Sequence, residues 1–292
     1  MIPEFPFSAR YTTIKGFRMH YIDEGEGEPI ILVHGNPTWS YYYRHVIALL
    51  SRKYRVIAPD HIGCGLSDKP STFSYTLKNH IDNLAALLAE LGIGKTSMIV
   101  HDWGGAIGLG AAALHDISLD KLVILNTAAF RSERIPFRIS VCRWPYIGAF
   151  LVKGINGFAG AATVMAVKRR MPREIAAAYL QPYASWRQRI AVHEFVRDIP
   201  MKANHPSYQT LVQVEHFVDD LGKAPPPVMI LWGGRDFCFN DSFFAEWKRR
   251  FPAAECHYFD QYGHYVLEDG RGQVEPIIET FLGVKAAALN HD

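Results

Sequence analysis

Short apolar, β-rich runs recur through the first half of the chain, at residues 30–33, 54–58, 96–100 and 122–125. Each stops at small or polar residues: His34-Gly35, Pro59-Asp60, the turn at Asp102, and Asn126-Thr127. Runs in which consecutive positions are apolar belong to strands buried on both faces of a sheet. Between them, residues 77–91 carry apolar side chains at helical spacing and stop at Gly92, and residues 106–115 form an Ala/Gly-rich helical stretch. Strands alternating with helices predict an α/β fold with a mostly parallel central sheet and helices on both faces. Residues 11–24 alternate instead, which predicts an antiparallel hairpin at one edge with Gly16 at its turn.

The rhythm breaks after Asn126. Residues 129–221 read as mostly helical and are rich in Pro, Arg and aromatic side chains. The α/β pattern then resumes with a strand at 227–232, a helix at 241–250, a strand at 255–259 and a last helix near 274–281. An interrupted pattern of this kind predicts a core in two parts, 1–128 and 222–292, with a helical cap, 129–221, inserted between them.

With 292 residues, 49% apolar and 21% charged, the chain has ample material for a large core. A net charge of +2 gives no reason to expect nucleic-acid binding. The charge is uneven, however. Residues 130–202 hold thirteen Lys/Arg and four Asp/Glu, a balance of +9 that leaves −7 for the remainder. Solvated helix faces with snorkelling arginines explain this plainly; a surface for an anionic partner or a peripheral membrane contact explains it functionally, with Lys168, Arg169, Arg170, Arg187 and Arg189 as members. Cys64, Cys142, Cys238 and Cys256 lack CxxC spacing, so neither a metal site nor a disulfide framework is expected, and no cofactor is implied. Scattered thiols, and an N-terminus without a basic segment followed by an apolar core, predict a cytoplasmic protein. No apolar run approaches the ~20 residues that span a bilayer.

The chemistry centres on His101-Asp102-Trp103-Gly104-Gly105. A buried strand ends there in a small-residue turn and enters a helix, the setting of a nucleophile elbow, with Asp102 where a serine usually stands. A carboxylate nucleophile attacks saturated carbon and leaves an ester on the enzyme, which points to breaking carbon–halogen or alkyl carbon–oxygen bonds. His264 follows the last predicted strand and Asp236 the one before it. All three residues lie just beyond strand carboxyl ends, where open α/β sheets hold their ligands, in the order nucleophile, acid, histidine. Asn126 ends another strand where an acid could stand, but it is uncharged, which leaves Asp236 as the orienting carboxylate.

Singly, each of these residues has a duller explanation: a helix N-cap, a solvated loop histidine, a turn aspartate. Three in order at successive strand ends point to catalysis. His101, His61 and Asp60 read as structural. The loop at 34–39 and the residue after Asp102 supply Asn36 and Trp103. Their backbone N–H groups suit an oxyanion, and their side-chain amide and indole N–H suit a departing anion.

The segments HGNPTWSYYYR, PDHIGCGLSDKP, VHDWGG, WGGRDF and GHYVLED resemble motifs of the haloalkane dehalogenases and their relatives in the α/β-hydrolase superfamily. The likeness covers the whole core. LVILNTAAF, RRMP and QPYASWRQRI are more similar to the β-lactone decarboxylases of olefin biosynthesis, the cis-3-alkyl-4-alkyloxetan-2-one decarboxylases, and carry the likeness through the cap. The resemblance implies an α/β-hydrolase fold, with nucleophile, base and acid at Asp102, His264 and Asp236 and the anion-binding pair at Asn36 and Trp103. It also implies conversion of cis-3,4-dialkyl-β-lactones to cis-alkenes and carbon dioxide, alongside partner enzymes of an olefin pathway.

Three alternatives stay open. A haloalkane dehalogenase would hydrolyse carbon–halogen bonds through an alkyl-enzyme ester. An epoxide hydrolase releases an alkoxide and needs proton donors, a role that Tyr179 and Tyr183 of the cap could fill. A hydrolase-fold binding protein without catalysis would be expected to lack a member of the site set, and here all five are present. The cap side chains Phe150, Leu151, Phe158, Val164, Met165 and Tyr179 are expected to line a tunnel for a small apolar substrate.

Overall fold

The apolar runs form the middle of an eight-stranded sheet in the computed structural model, which describes residues 2–283. The strands are β1 (Arg10–Ile14), β2 (Phe17–Glu24), β3 (Pro29–Val33), β4 (Arg55–Pro59), β5 (Lys95–Asp102), β6 (Ser118–Thr127), β7 (Val228–Gly233) and β8 (Glu255–Phe259). Their order is β1-β2-β4-β3-β5-β6-β7-β8. β1 and β2 make the edge hairpin, β2 runs antiparallel to β4, and every other neighbouring pair is parallel. The pleat divides the apolar runs. Ile30, Leu32, Ile99, Val123 and Leu231 pack on one face, while Ile31, Val33, Met98, Val100 and Ile124 pack on the other. Both faces are buried, so alternation of apolar and polar residues is lost in the central strands.

Helices α1 (Arg44–Leu50), α2 (Leu77–Glu90) and α3 (Trp103–Leu114) connect the early strands. Six more lie between β6 and β7: α4 (Phe137–Val141), α5 (Ile147–Ala149), α6 (Gly157–Met165), α7 (Arg173–Leu180), α8 (Ile190–Arg197) and α9 (Tyr208–Leu221). The chain closes with α10 (Asp241–Arg250), α11 (Val266–Asp269) and α12 (Val274–Gly283). α1 and α12 cover the first face of the sheet, and α2, α3 and α10 cover the second. α9 lies inside the segment expected to be a cap, yet it packs on α3: its Val214 and Val218 bury with Ile107 and Ile81. Its single apolar stripe is satisfied against the core layer. The helices that wall the space above Asp102 are chiefly α4, α6 and α8.

One buried carboxylate ties this inserted segment to the core. α2 starts at Leu77 without a side-chain cap from Thr76. Asp198, just past α8, supplies the acceptor instead: the Leu77 N–H donates to its Oδ2 at 2.7 Å, and the Ser207 hydroxyl donates to the same carboxylate at 2.7 Å. This satisfies an otherwise orphaned helix N–H. Burial nevertheless pushes the Asp198 carboxyl up to about 7, against the pull of the Ser207 and Leu77 donors.

A carboxyl raised on folding binds a proton that the unfolded chain has already released. The protein therefore loses stability as pH rises from the ordinary carboxylate range through about 7. Asp198→Asn, which keeps the shape and cannot ionise, is expected to gain about 2 kcal/mol on the wild type between pH 5 and pH 8. Urea unfolding of both proteins at the two pH values checks this, and a pH-independent difference contradicts it.

Candidate active site

β5 runs past its apolar residues to Asp102, where the backbone turns at φ 53° and ψ −127°. An L-residue with positive φ at this ψ is strained and persists only where its surroundings dictate it. α3 begins at the next residue, and the surroundings leave no room for adjustment. A Cβ on Gly104 would lie 1.9 Å from the Val33 carbonyl oxygen, and one on Gly35 would lie 2.1 Å from Asp102 Oδ1. The Thr127 hydroxyl at the end of β6 donates to the Asp102 carbonyl, and the Thr127 carbonyl accepts from the Trp247 indole at 2.8 Å.

The Asp102 side chain is 12% exposed, and its two oxygens differ. Oδ1 accepts the Asn36 backbone N–H at 2.6 Å, and the Trp103 N–H also reaches the carboxylate. Oδ2 faces His264 Nε2 at 3.7 Å. The backbone donors expected to hold a substrate oxyanion thus hold the enzyme's own carboxylate. Burial pushes the Asp102 carboxyl above its ordinary value, and His264 and the two N–H groups pull it back without cancelling that effect.

His264 is held from behind. Its Nδ1 donates to Asp236 Oδ2 at 2.8 Å, which fixes the tautomer and turns the Nε2 lone pair toward Asp102. Burial alone would depress the imidazole, but Asp236, its hydrogen bond and Asp102 outweigh burial and raise it. Asp236 is 5% exposed and is itself held on both oxygens. Oδ1 accepts the Cys238 N–H at 2.6 Å, and Oδ2 accepts the Asn126 amide at 3.0 Å. Asn126 Oδ1 in turn accepts the Gly233 N–H at 2.8 Å, locking the ends of β6 and β7 together. His101 donates to the His264 carbonyl at 2.9 Å, and Phe239 stacks on the His264 ring at 5.6 Å.

A cavity of about 360 Å³ opens above Asp102, with Asn36, Trp103 and His264 in its wall. Phe130, Ile139, Phe158, Val196, Leu211 and Phe243 supply much of the remaining surface. The Asn36 side chain gives one amide hydrogen to the Val192 carbonyl at 3.1 Å, which leaves its second free. The Trp103 indole N–H has no acceptor among the described residues.

The structure brings Asp102, His264, Asp236, Asn36 and Trp103 to one place, together with Met165 and Phe158. The other expected cap contacts lie elsewhere. Tyr179 is buried outside the cavity, donating to Glu268 at 2.5 Å, stacking on Tyr265 and meeting Tyr41 edge to face. Tyr183 donates to the Thr38 carbonyl and accepts the Gly65 N–H, both at 3.3 Å. Both tyrosines are packing residues of the junction between inserted helices and core. Phe150 and Val164 face outward, at 60% and 74% exposed, because their short helices show the cavity a different side. Asn126, Phe239 and Thr127 escaped sequence reasoning. Only Asn126 gave a signal, since it occupied a strand end suited to an acid.

A family model described as alpha/beta hydrolase fold matches residues 28–271. A cis-3-alkyl-4-alkyloxetan-2-one decarboxylase of Shewanella oneidensis is 42% identical over 95% of this chain and 89% of its own length. A haloalkane dehalogenase of Mycobacterium marinum is 33% identical over 80% of this chain and 79% of its own. Among solved structures, the haloalkane dehalogenase DbeA from Bradyrhizobium elkani superposes with a TM-score of 0.84 at 25% identity, covering 95% of this chain and 98% of that one. The elbow, the strand order and these relationships agree, and the chain belongs to the α/β-hydrolase-fold family that includes the β-lactone decarboxylases and haloalkane dehalogenases.

Proposed function

We propose that the protein is a β-lactone decarboxylase that converts cis-3,4-dialkyl-β-lactones to cis-alkenes and carbon dioxide, with Asp102 as nucleophile. The observation that carries this reading is a buried carboxylate at the floor of a mostly apolar cavity, beside neutral N–H donors. The similarity to the decarboxylase of Shewanella oneidensis directs the choice of substrate. Residues 129–221 act in this reading as the cap that shapes the cavity, between core segments 1–128 and 222–292.

Asp102 Oδ2 attacks the ring carbon that bears the lactone oxygen. The carbon–oxygen bond breaks with inversion, giving an alkyl ester on Asp102 and a free β-carboxylate. The Asn36 amide and the Trp103 indole N–H receive that carboxylate, which needs no proton to leave. In the second step the bond to the carboxylate carbon breaks, its electrons form the alkene, and the bond to Asp102 breaks on the opposite side. Carbon dioxide departs and Asp102 is a carboxylate again. Inversion followed by anti elimination is a net syn loss, so a cis-lactone gives a cis-alkene. No water is consumed, and His264 serves as an electrostatic partner of Asp102.

A second reading, haloalkane dehalogenase, is favoured by the poised His264–Asp236 pair, which suits activation of water against an alkyl-Asp102 ester. The epoxide reading loses the tyrosine pair expected to serve it, since neither Tyr179 nor Tyr183 lines the cavity. An alkene-forming enzyme needs a supplier of β-lactone, and such olefin-pathway enzymes are the proposed partners. The four free thiols fit a reducing compartment such as the cytoplasm.

A side-by-side assay with a long-armed cis-β-lactone, a bromoalkane and a styrene-type epoxide tests this function. Alkene and carbon dioxide are expected at kcat/KM at least about tenfold above bromide or diol release, and Asp102→Ala is expected to lower alkene formation about 1,000-fold or more. Rapid bromide release without alkene contradicts the assignment. The pH profile divides the two chemistries further. Hydrolysis needs neutral His264 and fails as pH falls through its raised pKa, whereas lactone opening needs only ionised Asp102. Alkene formation is therefore expected to persist at pH values where bromoalkane turnover stops after one bromide per site, and coincident acid limbs would count against the elimination route.

A further inference from the structure

The inserted helices turn one side to the cavity and leave the other bare. Among the described residues, eight of the eleven large apolar side chains with substantial exposure fall within residues 137–186. Phe137 is 74% exposed and Tyr146 90%. Several of them lie together. Phe150 and Trp186 lie 3.1 and 3.5 Å from where a Cβ of Gly154 would be, and the Lys153 ammonium sits 4.7 Å from the Trp186 ring centre. Arg138 of α4 reaches the Met165 sulfur of α6 at 3.8 Å. Arg134 and Arg138 are exposed and also line the cavity, which puts its mouth on this face.

The wider segment, residues 130–202, is strongly basic. Of its thirteen Lys/Arg, Arg131 and Arg197 alone form ion pairs among the described residues. A protein partner would need a matched array of carboxylates, whereas anionic lipid headgroups offer dense, movable negative charge. Aromatic rings interleaved with long cationic side chains suit the headgroup layer, where rings sit below and charges stay in water. No single helix among the described residues is long and apolar enough to cross a bilayer, and the apolar pair Ile147–Gly154 and Gly157–Met165 is bent by 66°.

We infer that this face docks the protein on an anionic lipid bilayer, with the cavity mouth toward the acyl chains. An apolar substrate then passes from bilayer to Asp102 without crossing water. Only that delivery route rests on the proposed function; the docking rests on the exposed side chains.

The tryptophans offer a direct readout. Trp39, Trp232 and Trp247 are fully buried and Trp103 lines the cavity, whereas Trp144 and Trp186 are each 48% exposed. The full chain would be sedimented with phosphatidylcholine vesicles, with and without phosphatidylglycerol, and its fluorescence read against brominated acyl chains. At low salt, binding to the anionic vesicles is expected about tenfold above binding to neutral ones, with quenching and with loss at high salt. Phe137→Ser/Phe150→Ser/Lys153→Glu should lower binding about tenfold while keeping the wild-type melting temperature and its turnover of a water-soluble substrate. Tyr11→Ser/Tyr258→Ser, on the core, should bind as wild type does.

Absence of vesicle binding, binding without quenching, or equal loss in both variants overturns the docking. So does self-association through the patch with no vesicle binding. If the triple variant fails to fold, quenching of the wild type decides alone. A chain that binds vesicles but makes no alkene refutes the decarboxylase reading and leaves the docking; one that makes alkene but ignores vesicles does the reverse.

Discussion

The site depends on how closely three backbone segments approach Asp102. The loop after β3, the start of α3 and the end of β6 converge within contact distances that exclude a Cβ at Gly35, Gly104 and Gly105. That crowding holds Asp102 at φ 53° and brings the Asn36 and Trp103 N–H groups to its carboxylate. One carboxylate oxygen is consequently occupied and the other is left toward the cavity and His264. The strain is thus part of what aims the Asp102 carboxylate, set by sheet and helix packing that a loop alone could not impose.

Burial works on this arrangement in two directions. It raises the Asp102 carboxyl and leaves the carboxylate less solvated, while His264 and the Asn36 and Trp103 N–H groups limit that rise. It also removes water from the cavity wall, so neutral donors on Asn36 and Trp103 act in a low dielectric, where they have greater effect on a developing anion than in water. Lactone opening and halide displacement share this first step. They part at the second, where an ester bearing a β-carboxylate can eliminate, whereas a simple alkyl ester must wait for water. The His264–Asp236 pair matters most to hydrolysis, and its retention in the same site explains why geometry alone leaves the two reactions near neighbours.

The central sheet and the elbow were legible because each rests on local pattern. Apolar runs buried on both faces read as parallel strands, and His101-Asp102-Trp103-Gly104-Gly105 carries its own geometry. The positions of His264 and Asp236 could be ordered along the chain because strand ends recur in sequence. The inserted helices were less legible. Tyr179 and Tyr183 have helical spacing, but their partners Glu268 and Thr38 are distant in sequence, so packing and proton donation read alike. Asn126 was passed over for lacking charge, although its amide is what fixes Asp236. Phe150 and Val164 looked like cavity residues by composition, and only the turn of short helices sends them outward.

Asp102 itself keeps the record of whether water enters the cycle. Many turnovers of a cis-β-lactone in oxygen-labelled water, followed by mass spectrometry of the peptide containing Asp102, read that record directly. Elimination predicts an unlabelled Asp102 carboxylate alongside abundant alkene. Label accumulating in that carboxylate in step with lactone turnover would show hydrolysis of the ester and contradict a nucleophile regenerated by loss of carbon dioxide.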